Sequence, residues 1–186
     1  HEMTEIVERT ITLVKNQDLL PLRQGKILLL SPDLLPLTPL GEMRQSKNAL
    51  QHLRIPGLSL SEAHYPAETR GPALEHLLDQ ARKADVVLFT VYARHRLPDA
   101  TRELGQRLLE AQPSSVLISL SCPYVLRDLP VYPAFVCSYN YTPLSMQALG
   151  RVLAGQIQPR GRLPVSIPGL FPRGHKLDYP AASLPA

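Results

Sequence analysis

The sequence predicts an α/β fold, a three-layer sandwich with a mostly parallel sheet of about five or six strands. Three observations predict it. Short runs apolar on both faces recur along the chain and alternate with segments whose apolar residues repeat at helical spacing. A strand apolar on both faces needs cover on both sides, which parallel sheets flanked by helices supply. Nineteen prolines sit mostly singly at the edges of these runs, as punctuation between elements and not as a low-complexity tract.

The elements follow in order. Met3, Val7, Thr10 or Ile11, and Val14 recur at helical spacing and predict an opening amphipathic helix ending near Asn16. Lys26–Ser31 reads as a buried strand stopped by Pro32. Met43, Leu50 and Leu53 give a weaker helical pattern, and Leu58–Tyr65 alternates as a strand. Gly71-Pro72 opens a helix with Leu74, Leu77, Leu78 and Ala81 on one stripe. Val86–Tyr92 is the strongest strand, and Asp99 is placed to cap a helix through Leu104, Leu108 and Ala111. Ser115–Leu120 and Ala134–Ser138 are strands. Thr142-Pro143 opens a last helix through Ala148, Leu149, Val152 and Leu153, ended by Gly155. The remainder, 156–186, is an irregular tail. No repeat or long linker divides the chain, so 1–186 is expected to form one domain, with 1–22 as an opening helix and turn.

Composition removes several function classes. At 186 residues and 44% hydrophobic, the chain is long enough to bury roughly 70% of its unfolded surface, so wholesale disorder is not expected. No apolar run approaches the ~20 residues of a membrane-spanning helix. The net charge of +4 is mild and spread, without the basic runs of a nucleic-acid reader. Two cysteines, Cys122 and Cys137, exclude a disulfide framework and a four-cysteine zinc site, and without C-x-x-C they read as small buried hydrophobes. The chain opens His1-Glu2-Met3 with no signal-peptide pattern, which suggests a piece of something longer or a few residues ahead of Met3.

The chemistry is sparse. No phosphate-binding glycine pattern occurs, so no nucleotide cofactor is expected. Gly57-Leu-Ser59-Leu-Ser61 lacks the closing glycine of a nucleophile elbow, leaving Ser59 an ordinary serine. His1, His52, His64, His76, His95 and His175 show no metal-ligand spacing.

In open parallel sheets ligands sit at the carboxyl ends of the strands. Those ends carry Asp33, the basic loop Arg94-His95-Arg96, Tyr124, and Tyr139 with Tyr141 around Asn140. The basic loop could orient an anionic or hydroxyl-rich ligand through forked donors, although a solvated surface loop is the commoner reading of such a cluster. Asp99 and Glu103 read as helix residues before they read as a glycosidic acid–base pair. Tyr139 and Tyr141 fit stacking on a sugar or another domain, or packing within this one. No self-contained catalytic constellation emerges.

A set of ordered segments carries a family resemblance. These are Ser119-Leu-Ser-Cys-Pro123-Tyr124 through Leu129-Pro130, Cys137-Ser-Tyr139-Asn-Tyr141-Thr142, Ala148-Leu149 to Gly155, Pro159-Arg-Gly161-Arg162-Leu163-Pro164-Val165, and Phe171-Pro172-Arg173-Gly174-His175. Together they resemble the C-terminal domain of glycoside hydrolase family 3. Arg9–Asn16 with Leu20-Pro21-Leu22 looks like its opening helix and turn, and Ala84-Asp85-Val86-Val87 like the start of its central strand. The Pro123-Tyr124 pair, the Tyr139-x-Tyr141-Thr142 run and the Arg173-Gly174-His175 tail look most like the β-N-acetylglucosaminidase branch. The resemblance implies an accessory domain that packs on a (β/α)8 barrel and rims its sugar cleft, the barrel supplying the catalytic residues. A barrel needs ~250 residues that this chain does not contain. In the β-glucosidase branch a loop of this domain lends a glutamate, but Tyr92–Asp99 carries Arg94, His95 and Arg96 there, so no catalytic residue transfers. The other reading, from the residues alone, is an autonomous small-molecule or sugar-binding domain using Arg94–Arg96.

Overall fold

The computed structural model describes residues 2–33 and 50–180. Its elements are α1 (Glu2–Glu8), β1 (Thr12–Asn16), β2 (Ile27–Pro32), β3 (Leu60–Tyr65), α2 (Gly71–Arg82), β4 (Val86–Val91), α3 (Asp99–Ala111), β5 (Ser115–Ser119), β6 (Ala134–Cys137) and α4 (Pro143–Leu153). A 3-10 helix over Pro123–Arg127 links β5 to β6. Six strands form one sheet in the order β1-β6-β5-β4-β2-β3. Every pairing is parallel except that of β1 with β6.

Alternation within the strands divides the core in two. Leu28, Leu30, Val87, Phe89, Leu117 and Phe135 face a cluster closed by Leu74, Leu78, Leu104 and Leu108 of α2 and α3. Ile27, Leu29, Leu88, Val116, Ile118 and Val136 face a second cluster closed by Met146, Leu149 and Leu153 of α4 with Leu53 and Ile55. Helices on both faces of a sheet apolar on both faces make the three layers.

The opening segment corrects the sequence reading. The helix stops at Glu8, and Thr12–Asn16 is an edge strand, with Thr12 opposite Cys137 and Asn16 opposite Ala134. Thr10, Ile11, Thr12 and Val14 are β-branched and poor helix formers, and Ile11 to Val14 are buried on alternating faces. The apolar spacing that imitated one long helix joins a short helix to a strand. Asp99 is likewise not the cap of α3. Pro98 holds that position, and Asp99 is the first helical residue, accepting from Arg102 Nη2 at 2.8 Å. Its charge still favours the helix amino terminus. Pro32 closes β2 from inside the strand, opposite Tyr65. The pattern around Met43 lies outside the described residues; Leu50 and Leu53 are buried.

The tail straps the free edge of β1. A bulge at Val14 releases its carbonyl. His175 Nε2 meets that carbonyl at 2.8 Å, so this ring nitrogen carries the proton. Gly161 N–H donates to Ile11 O at 2.9 Å and Leu177 N–H to Leu13 O at 2.8 Å. His175 also stacks on Phe171 with centroids 4.4 Å apart. An edge strand's unpaired groups are thereby covered. Among the described residues no helix is long and apolar enough to cross a membrane.

Candidate functional site

The parallel register of β2, β3, β4, β5 and β6 sends their carboxyl ends to one edge. That edge carries the residues singled out from the sequence. Strand order reverses between β2 and β4, the position where open sheets of this kind leave a crevice.

At the end of β2, Asp33 is exposed and its amide donates to Tyr65 O at 3.0 Å. Ser31 is buried, with Oγ 2.8 Å from His64 Nδ1 on the register partner in β3. This serine–histidine contact ties an edge strand down; Ser31 is only 3% exposed, while His64 is exposed.

The loop after β4 is fixed at both stems. Ala93 N–H donates to Ser121 Oγ at 3.0 Å, and Ser121 Oγ donates back to Ala93 O at 2.6 Å. Leu97 N–H donates to Asp128 Oδ2 at 2.8 Å, and Asp128 Oδ1 lies 3.5 Å from Arg96 Nε. The Asp128 side chain is 7% exposed. Between the stems Arg94, His95 and Arg96 are all exposed. A buried carboxylate with two partners therefore organises a loop whose tip is basic.

At the end of β6 the two tyrosines part company. Tyr139 packs against the α2–α3 cluster and its hydroxyl donates to Thr12 Oγ1 at 2.9 Å. Burial pushes its phenol well above the ordinary value. Tyr141 packs against the α4 cluster and meets Tyr92 edge-on with centroids 5.8 Å apart. Both are half-buried, as is Tyr124 in the 3-10 helix. The two rings lie on opposite faces of the sheet although they are two residues apart: alternation would place both on one face, and the left-handed backbone at Tyr139 breaks it.

The remaining sequence candidates carry little. Ser59 lies just before β3, at the amino edge, and is exposed. Cys122 Sγ donates to Ala93 O at 3.3 Å. Cys137 is fully buried, and burial, reinforced by Cys122, raises its thiol, which keeps it protonated and unreactive. Among the described residues no three His, Cys, Asp or Glu side chains gather as metal ligands. An open cleft of about 400 Å³ lies at the amino edge, lined by Asn16, Asp18, Leu20, Arg23, Val86 and Pro180. Asn16 there is spent on its own turn, accepting from Leu19 and Leu20 N–H and donating to Leu20 O.

Sequence reading missed Asp128, Ser121 and His64. Each acts through a partner brought by strand register or by the 3-10 helix, and no local pattern marks it.

Comparison with known proteins agrees with this architecture. The profile of the glycosyl hydrolase family 3 C-terminal domain matches residues 11–182. No curated protein matches the chain. Similar solved structures include a glycoside hydrolase family 3 β-N-acetylglucosaminidase from Paenibacillus sp. str. FPU-7, with TM-score 0.74 and 23% identity over 88% of this chain and 32% of that one. A fungal multi-domain β-N-acetylglucosaminidase of the same family gives 0.72 and 23% over 91% and 19%. A β-glucosidase from Listeria innocua in complex with isofagomine gives 0.75 and 14% over 95% and 33%. At such identities the likeness is one of fold. The chain spans between 19% and 33% of the length of these three proteins.

Proposed function

Since the chain belongs to the glycosyl hydrolase family 3 C-terminal domain family, we propose that it is the accessory domain of a larger, β-N-acetylglucosaminidase-like glycosidase. Its 186 residues act as one α/β unit. Its carboxyl edge packs on a (β/α)8 barrel and rims that barrel's sugar cleft. The barrel supplies the nucleophile and the proton carrier, and this chain contributes shape and polar contacts from Asp33, the Arg94–Arg96 loop, Tyr124, Tyr139 and Tyr141. The observation that carries the reading is the asymmetry of coverage, nearly all of this chain against a third or less of each neighbour. The site adds support: Ser31, the serine that meets His64, is buried and Cys137 is fully buried, which favours chemistry supplied by another domain.

The test is expression of the chain alone and joined to the polypeptide encoded upstream of it. The lone chain is expected not to hydrolyse an aryl β-N-acetylglucosaminide, and the joined protein to hydrolyse it. Turnover by the clean lone chain overturns the reading. The exposed basic loop, pinned at both stems, favours a second reading as an autonomous binder. A rise in melting temperature of the lone chain with a sugar acid or phosphate would move the assignment there.

A further inference from the structure

We infer that Asn140 donates a hydrogen bond to a glycan oxygen at the cleft, presented by a strained turn that Thr12 and Tyr139 hold. The inference rests on the proposed place of this edge beside a sugar cleft.

Tyr139 has φ +61°, a left-handed conformation that a bulky aromatic residue seldom adopts. Its ring stays on the α2–α3 side, its hydroxyl donates to Thr12 Oγ1, and Thr12 Oγ1 donates to Thr10 O at 3.0 Å. The tail backs this strut: a Cβ on Gly161 would come within 2.7 Å of Ile11 O and nearer to Thr12. On the other side, the fully buried Ser138 donates through Oγ to Asn140 O at 2.7 Å. The strained residue is over-determined, and its effect is to turn Asn140 out of the sheet, where it is exposed. Strain held in this way at a ligand-binding edge is a pointer to function.

The orientation of the Asn140 amide is settled by chemistry. Its Oδ1 lies 3.2 Å from Thr142 N and 3.2 Å from Thr142 Oγ1. A backbone N–H only donates, so the atom facing it is the oxygen, and the amino group faces away. Among the described residues nothing accepts from that amino group. The turn is more than a start for α4, because Thr142 caps that helix itself by accepting from Ser145 N–H at 3.3 Å. Two fixed donors beside the half-buried Tyr92–Tyr141 pair suit a sugar, which offers many acceptor oxygens and an apolar face.

The test compares kcat/KM on an aryl β-N-acetylglucosaminide in the full enzyme that contains this chain. Asn140→Ala is expected to lower it about three- to tenfold. Asn140→Asp keeps the accepting oxygen and the turn but removes the donors, so it should fall as far, with the melting temperature unchanged. Thr12→Val should fall less, through KM, and add nothing in combination with Asn140→Ala. Wild-type kcat/KM in Asn140→Asp would reduce Asn140 to a turn residue and overturn the inference. A wild-type enzyme without glycosidase activity would instead remove the reading beneath it.

Discussion

Gly150 sits inside α4, where glycine costs about 1 kcal/mol relative to alanine. Helix propensity alone therefore predicts that Gly150→Ala stabilises the protein. Packing predicts the reverse. A Cβ at this position would lie 2.9 Å from the Arg54 carbonyl carbon and closer to its oxygen. The obstacle is backbone, and on either side of it Leu53 and Ile55 are 0% and 2% exposed. Relief requires the 53–55 segment to lift from α4 and loosen both side chains. Forcing one extra methyl into a packed core costs about 1–3 kcal/mol, and a backbone neighbour puts this case at the upper end. Subtracting the ~1 kcal/mol propensity gain leaves a destabilisation of about 2 kcal/mol. For a chain of this length that lowers Tm by about 4–8 °C. Urea and thermal unfolding followed by circular dichroism measure it, with the exposed Gln147→Ala on the same helix as control. A Tm for Gly150→Ala at or above wild type refutes the packing argument.

Three further outcomes are expected. Burial raises the phenols of Tyr65, Tyr132 and Tyr179 in the folded state, so stability is full below the ordinary tyrosine value near 10 and falls as pH rises past it, by up to ~1.4 kcal/mol per pH unit for each; ultraviolet titration in which all seven tyrosines ionise together before unfolding would contradict this. Tyr179→Phe removes a buried hydroxyl that has no hydrogen-bond partner and should raise stability by about 1 kcal/mol in urea titration. Asp128→Ala strips the acceptor from Leu97 N–H, and hydrogen exchange should show the loop stem losing protection, with about 1–3 kcal/mol of stability; an unchanged Leu97 exchange rate would show that the carboxylate does not fix the loop.

Strands β2, β4, β5 and β6 were legible because each is a short apolar run, and burial on both faces leaves little alternative. The same holds for α2, α3 and α4, whose stripes repeat over several turns. Strand β3, largely polar and partly exposed, could be read only from loose alternation. The opening segment was not legible, because Met3 to Val14 satisfies helical spacing by coincidence and the partner that makes Thr12–Asn16 a strand is β6. At the carboxyl edge the identities of Arg94, Tyr139 and Tyr141 could be read as strand ends. Alternation keeps residues two apart on one face, so the parting of the two tyrosines was not available from it. Nor were the left-handed Tyr139, the Thr12 strut and the buried Asp128, since each depends on contacts between segments remote in sequence.

The strapping of β1 bears on how the chain is made. A ribosome delivers this strand before the other strands of its sheet, yet β6 lies on one side of it and residues 161–177 on the other. Its hydrogen-bonding rim stays open until residues 161–177 have emerged, and such rims invite pairing between nascent chains. The first strand of this sheet is the last to be housed, so truncation ahead of residue 161 should yield aggregates before it yields a smaller folded protein.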